Sequence, residues 1–249
     1  MDKQFTAPTV YFLQEGKENL LQCLKTAFQA AKQQNVSKIL IFTAKGDGVR
    51  IALESFCSQP EFSHIRLVAV TFPAAQVFRD KEGNKLESEI SSGDAEFFRN
   101  SKVDIVRAHL PLDPFTPFRR RQGALGQDLS LIGEVLNLFC GSMSLCVQAI
   151  ILACDAGFVA PGEHVIALTS DTAILAQASS TRRMLGDLVI REILCKPAVL
   201  SVTRQELADK LPAQMQLEMT SEIKVLPAST EVAELNTPEE DERRSEPRG

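Results

Sequence analysis

A short stretch near the start of the chain has the residue types and spacing to hold a negatively charged group. The apolar residues 39–42 indicate a buried strand, and Val49, Ala52, Leu53 and Phe56 follow at the spacing of one helix face. The residues that would face an anion lie at this junction and are Thr43, Ala44, Lys45, Gly46, Asp47, Gly48 and Val49. Because a helix start directs free backbone N–H groups and the positive end of the helix dipole outward, these residues are candidates for a phosphate site.

The same residues also fit an ordinary strand-to-helix connection, because such a turn needs small residues simply to reverse direction. Their spacing is neither that of a P-loop nor that of a GxGxxG fingerprint. Asp47 could cap the helix with its carboxylate and take the amides that a phosphate would need. Lys45 fits either a point charge for a phosphate or an exposed loop lysine, so both interpretations of the turn stay open.

Other groups would have to join the turn to bind a ligand well. A helix N-terminus contributes about 0.3–1 kcal/mol, or about 2 if partly buried, whereas micromolar affinity needs about 8 kcal/mol. We expect contributions from Thr169, Thr172 and an arginine of the run 119–121, with Arg119 as the candidate. This run lies in residues 109–126, a segment with three prolines that fits either a lid or a solvated loop.

His109 is the candidate for acid–base catalysis. With Asp113 it follows a predicted strand at the edge where open α/β sheets bind ligands, and a carboxylate could orient the imidazole. A histidine that only caps the strand end is the alternative, and we assign no catalytic residue. Asp155, which precedes Gly157, is expected to cap or anchor a buried helix.

Composition narrows the function classes. A net charge of −5 and an isoelectric point near 5.4 argue against nucleic-acid and acidic-membrane partners. The six cysteines form no CxxC pair and no metal-ligand spacing with histidine, which indicates buried thiols in a reducing, cytoplasmic compartment. Without a charged-then-apolar leader or a run of about 18 apolar residues, we expect neither export nor a membrane span.

Apolar strands alternate with amphipathic helices, which predicts an α/β fold with a mostly parallel, doubly wound sheet. The predicted strands cover residues 9–13, 39–42, 65–71, 103–107, 164–169 and 173–178, and the predicted helices cover 18–34, 49–56, 94–100, 128–139 and 144–156. The turn Thr169-Ser170-Asp171-Thr172 is too short for a crossover, so the strand after it must be antiparallel. Residues 188–195 fit a strand or a short helix, and residues 74–93 a long connection.

We expect one domain over residues 1–212 and a C-terminal extension over 213–249. Thr203 and Glu206 form a capping box for a small helix. From about residue 225 the composition turns to proline, serine, threonine and alternating charge, which predicts disorder.

Several stretches together resemble the C-terminal α/β domain of pyruvate kinase. The run Phe42–Val49 is similar to the loop that holds a phosphate of that enzyme's sugar bisphosphate effector, and Asp155-Ala156-Gly157, Pro161-Gly162 and residues 164–169 are similar to a helix end, turn and strand of the same domain. Stand-alone proteins built from this domain alone are more similar still. They share the strand at residues 10–12, a histidine at the position of His109 and an ending like residues 192–197. The resemblance covers roughly residues 8–200.

The resemblance implies a three-layer fold with helices on both faces of the sheet, without the catalytic barrel and without pyruvate kinase activity. Its stand-alone members look like binders of a phosphate-bearing small molecule, such as flavin mononucleotide (FMN) or a phosphorylated metabolite. Homo-oligomers are also implied, because pyruvate kinase uses this domain for subunit contacts. Two departures stand out, namely Lys45 where a hydroxyl residue is common, and the absence of a glycine-rich loop after the strand at 164–169. The alternatives are an enzyme that uses the bound ligand with His109 as acid/base, and an interaction domain with a vestigial pocket.

Overall fold

A seven-stranded sheet forms the centre of the protein. The computed structural model describes residues 6–79, 84–86, 88–113 and 125–198. Numbered along the chain, the sheet strands are β1 (Val10–Phe12), β2 (Lys38–Phe42), β3 (Arg66–Thr71), β6 (Asp104–Arg107), β7 (His164–Leu168), β8 (Ala173–Gln177) and β9 (Val189–Pro197), while β4 (Phe78–Arg79) and β5 (Lys85–Leu86) form a separate hairpin.

The strand order across the sheet is β1-β9-β8-β7-β2-β3-β6. Strands β7, β2, β3 and β6 pair in parallel, as do β1 and β9. Strand β8 is antiparallel to both of its neighbours. The mostly parallel sheet and the antiparallel strand after Thr172 confirm the sequence-based prediction.

Helices cover both faces of the sheet. They are α1 (Leu20–Gln34), α2 (Asp47–Ala52), α3 (Ser92–Asn100), α4 (Leu125–Asn137), α5 (Met143–Asp155) and α6 (Met184–Asp187). Side chains of β2 alternate between the two cores: Ile39 and Ile41 pack with α1 and α2, whereas Leu40 and Phe42 pack with α5. This alternation explains why the strand is apolar along its whole length, and it confirms the three layers.

Helix α5 is buried almost throughout, as its composition predicts. Eleven of its thirteen residues are buried, and Gly157 ends it with a positive φ of 79°. At about 20 Å, α5 is too short to span a bilayer, and no other helix in the described ranges meets the length and hydropathy needed.

Local details differ from the predictions. Helix α2 changes to a π-helical turn at Leu53–Cys57, α4 begins three residues before the predicted Asp128, and the predicted connection at 74–93 contains the β4–β5 hairpin. The segment predicted at 188–195 forms strand β9 from Val189 to Pro197, which resolves that alternative. The predicted helix at Thr203, the boundary at residue 212 and the C-terminal tail lie outside the described residues.

Candidate functional site

The turn after β2 is held by three hydrogen bonds from backbone amides. The Thr43 amide donates to the Val70 carbonyl at 2.9 Å, and the Gly46 amide donates to Thr43 Oγ1 at 2.9 Å. The first bond of the helix follows, from the Arg50 amide to the Gly46 carbonyl at 3.0 Å. Gly46 is therefore the N-cap of α2, and its φ of 100° is a conformation that favours glycine.

Protein contacts explain why this turn needs its two glycines. A Cβ on Gly46 would lie 2.7 Å from the ring of Phe98, and a Cβ on Gly48 would lie 3.1 Å from Ile41 Cγ2 and 3.4 Å from Leu20. Gly48 thus lets α2 pack closely against β2 and α1, while Gly46 combines a positive φ with a close aromatic neighbour.

The start of α2 has no side-chain cap. Among the described residues, no side chain accepts from the amides of Asp47, Gly48 or Val49, which have no partner within the helix. Asp47 is exposed, and its carboxylate does not make the capping bond that one interpretation of the sequence expects. Lys45 is also exposed beside these amides. Gly46, Gly48 and Val49 are buried, so Lys45 and Asp47 are the exposed residues of this helix start.

The sheet topology adds a second reason to consider this edge. Across the sheet, β3 lies beside β2 and β6 lies beside β3, so these strands are added toward one edge. The next sheet strand along the chain, β7, is instead added on the other side of β2. This reversal is a topological switch point, and open α/β sheets bind ligands outside the carboxyl ends of the strands at such points. The turn 43–49 follows β2 and the turn 169–172 follows β7, so the switch point brings together two predicted parts of the site.

The β7–β8 turn is occupied by a buried carboxylate that the sequence analysis did not single out. Asp171 is 3% exposed. Its Oδ1 accepts from the hydroxyls of Ser142 at 3.0 Å, Thr172 at 3.1 Å and Thr169 at 3.4 Å, and its Oδ2 accepts from the Gly16 amide at 3.0 Å. The hydroxyls of Thr169 and Thr172 are therefore engaged inside the protein. We call these five residues the Asp171 cluster.

The hydrogen-bond donors of the Asp171 cluster come from residues 16 and 142 and from the β7–β8 turn itself. Because these residues are far apart in the sequence, only the tertiary fold reveals the cluster. The local signal is an aspartate between two threonines in a tight turn, which is also an ordinary exposed turn sequence.

The segment that carries His109 is fixed by α5. Gln148 Oε1 accepts from the Leu112 amide at 3.0 Å, and His109 Nε2 lies 3.1 Å from the Asp113 carbonyl oxygen. Burial raises the pKa of Asp113, while a side-chain hydrogen bond from Gln148 and the nearby His109 partly oppose the rise. His109 follows β6, two strands from β2 and hence roughly 10 Å across the sheet. Arg119 and the neighbouring arginines lie outside the described residues.

All six cysteines are free thiols. The Cys195 and Cys23 sulfurs lie 3.4 Å apart, and the thiols of Cys23 and Cys146 donate at 3.6 Å to the carbonyls of Thr169 and Thr172 respectively. Burial raises the pKa of both Cys23 and Cys146 well above the ordinary thiol value, and it raises the pKa of Cys57 to about 11. The raised pKa values of Cys23, Cys57 and Cys146 favour the protonated thiol near neutral pH. No cluster suited to a metal ion occurs among the described residues.

Asp155 anchors a loop from the end of α5. Its carboxylate accepts from the Thr181 amide at 3.1 Å and also from the Thr181 hydroxyl. This contact fits the anchoring role expected from its position before Gly157.

An apolar cavity of about 110 Å³ lies on the α5 side of the sheet, away from the face that α2 covers. We call it the α4 cavity; it is lined by Leu112, Ile132, Leu136, Val147, Met184, Leu185, Leu188 and Ile190. Its walls offer no counter-charge for an anion.

No protein-family model matches this chain. The assignment of function therefore depends on the geometry of the site and on the resemblance in the sequence.

Proposed function

We propose that the protein binds a phosphate-bearing small molecule at residues 43–49. The observation that carries the proposal is the uncapped start of α2 at the switch point of the sheet, with Lys45 exposed beside it. Thr43 Oγ1 accepts the Gly46 amide, and the amides of Asp47, Gly48 and Val49 have no side-chain acceptor among the described residues. Gly48 and Val49 are buried, so the proposed anion approaches at exposed Lys45 and Asp47.

The amides cannot supply the whole affinity. The helix end contributes at most about 2 kcal/mol, so the rest must come from Lys45 and from contacts to the non-phosphate part of the ligand. Thr169 and Thr172 act in this proposal through the shape of the neighbouring turn, because their hydroxyls donate to Asp171. Arg119 is kept as a candidate contact in the proposal.

The resemblance to the pyruvate kinase C-terminal domain supports FMN or a phosphorylated metabolite as the ligand, and a role as carrier or sensor without pyruvate kinase activity. Six free thiols support a reducing compartment such as the cytoplasm. Catalysis by His109 is not favoured by its position, because the ring bonds within its own loop and lies two strands from the turn.

Thermal stability measured with added ligand tests the proposal. We expect FMN, and more weakly inorganic phosphate, to raise the melting temperature, since a ligand that binds only the folded state stabilises it. Lys45→Ala should weaken FMN binding roughly three- to tenfold, which corresponds to the loss of one partly exposed charge contact. Lys25→Ala is the matched control, because Lys25 is an exposed lysine on α1.

Asp47→Asn provides a test in the opposite direction. Its carboxylate lies beside the proposed anion, so removal of the charge should tighten phosphate and FMN binding. Unchanged affinity in both Lys45→Ala and Asp47→Asn, with FMN still bound, would locate the site elsewhere. No binding of either probe by the wild-type chain would reject the proposal.

A further inference from the structure

Two cysteines from distant parts of the sequence place their thiols in contact inside the protein. Cys23 lies on α1 and Cys195 on β9, and both side chains are fully buried in the core that α1 forms with the sheet. The Cys195 thiol donates to the Cys23 sulfur at 3.4 Å, and the Cys23 thiol donates in turn to the Thr169 carbonyl at 3.6 Å. We call Cys23 and Cys195 the α1–β9 thiol pair.

The other four thiols have no hydrogen-bonded thiol partner in the part of the chain that the structure describes. Cys140 and Cys146 bond to Thr172 and pack on the α5 side of the sheet, opposite α1. Cys154 lies near the end of α5, and Cys57 lies at the end of the π-helical turn after α2. The α1–β9 thiol pair is thus the arrangement from which an intramolecular disulfide needs the smallest movement of sulfur atoms.

We propose that the α1–β9 thiol pair is a redox-sensitive site that a hydroperoxide converts to a disulfide. In the first step one thiolate attacks an oxygen of the peroxide, the O–O bond breaks, and a sulfenic acid and an alcohol are formed. In the second step the other thiol attacks the sulfenic sulfur, the S–S bond forms, and the hydroxyl group leaves with the thiol proton as water. The two sulfurs together lose two electrons, which the peroxide bond accepts.

Access to the α1–β9 thiol pair depends on the edge of the sheet. Burial raises the pKa of Cys23 well above the ordinary thiol value, so the closed protein reacts slowly. Cys195 pairs with Val10 of β1, an edge strand of only three residues, and Val10 also packs against the core that holds both thiols. Short edge elements open locally more often than the core does, and opening of β1 admits a small hydroperoxide more readily than a bulky glutathione disulfide.

The disulfide locks α1 to β9 at little cost to the folded state. It removes two hydrogen bonds that involve sulfur, which are weak because a thiol is a poor donor and a poor acceptor. It also closes a long loop between residues 23 and 195, and a cross-link of this kind restricts the unfolded chain most. In a reducing compartment the pair stays reduced, so the lock forms only under oxidative conditions.

Mass spectrometry of the full chain treated with hydrogen peroxide in native buffer tests the proposal. We expect each chain to lose two hydrogen atoms, and proteolysis without reductant should release two peptides joined through Cys23 and Cys195. Cys23→Ser should abolish this product, because its hydroxyl can still donate to the Thr169 carbonyl but cannot form a disulfide. Cys146→Ser is the matched control: it also replaces a buried thiol that donates to a backbone carbonyl, and it should keep the cross-link.

Further measurements separate a specific redox site from oxidation of unfolded chains. Cys195→Ala should also lose the product while keeping the wild-type circular dichroism, so the test does not depend on one variant. The oxidised wild type should unfold at a higher urea concentration than the reduced protein, and dithiothreitol should reverse this shift.

Three outcomes overturn the proposal. The first is a mass that stays unchanged at peroxide concentrations that oxidise a free cysteine peptide. The second is oxidation that stops at Cys57 or joins Cys140 to Cys146 while the α1–β9 thiol pair stays reduced. The third is a cross-link between Cys23 and Cys195 that forms only after the chain has been unfolded in urea.

Discussion

Asp171 accepts four hydrogen bonds at the edge of the sheet where β7 ends. Its carboxylate joins the loop before α1, the start of α5 and the β7–β8 turn through Gly16, Ser142 and the two threonines. Because all four donors are uncharged and the carboxylate is nearly fully buried, each would lose its acceptor if the side chain were shortened.

Asp171→Ala should therefore lower the free energy of unfolding by about 2–4 kcal/mol, measured by urea denaturation. Added formate or acetate should restore part of the loss, because a small carboxylate can occupy the vacated donors. Asp187→Ala is the control; it removes the partner of Arg183 in an exposed pair and should cost no more than about 1 kcal/mol. A loss equal to that of the control would show that the cluster contributes little.

The sequence predicted the turn at 43–49, but it did not predict the contacts of its glycines, and the two threonines expected to join it bond to Asp171 instead. Small residues between a buried strand and an amphipathic helix locate such a turn, since both neighbours have clear periodicity. The contacts of Phe98 with Gly46 and of Ile41 with Gly48 could not be predicted, because they join residues that only the fold brings together. For the same reason Thr169 and Thr172 looked free for a ligand, although their hydroxyls bond to Asp171.

At the scale of elements, the most reliable predictions concern strands and helices with strong periodicity. The α5 helix and strands β2, β3, β7 and β8 were predicted within one or two residues. The π-helical turn after α2 and the β4–β5 hairpin were missed, because neither has a distinct hydrophobic period. The strand order across the sheet was also beyond the sequence, since periodicity shows which face is buried but not which strand is the neighbour.

The packing of α2 against β2 gives a prediction at this scale. Gly48→Ala adds a methyl group 3.1 Å from Ile41 Cγ2, so we expect a loss of about 1–3 kcal/mol from overpacking. Gly186→Ala is the matched control in α6, where a Cβ meets no atom within 4 Å; it should be neutral or slightly stabilising. Urea denaturation of both variants provides the comparison, and equal midpoints would contradict close packing at Gly48.

Gly46 is unsuitable for testing ligand binding, because its positive φ and the nearby ring of Phe98 make any side chain there disruptive.

At the scale of the whole molecule, the buried thiols link stability to alkaline pH. Burial raises the pKa of Cys23, Cys57, Cys140, Cys146 and Cys154. Above the ordinary thiol pKa of about 8.5, the unfolded chain loses these protons while the folded chain keeps them. The unfolded state then binds fewer protons, so the free energy of unfolding must fall as the pH rises.

Cys146 gives the sharpest test of this linkage, because it is fully buried in α5. Urea denaturation in a reducing buffer between about pH 9 and 10.5 should show Cys146→Ala losing stability less steeply than the wild type, by up to about 1.4 kcal/mol per pH unit. The neighbouring Val147→Ala also shortens a buried side chain of α5 but removes no titrating group. It should lower stability at every pH and leave the slope unchanged, and parallel curves for wild type and Cys146→Ala would contradict a protonated thiol in the core.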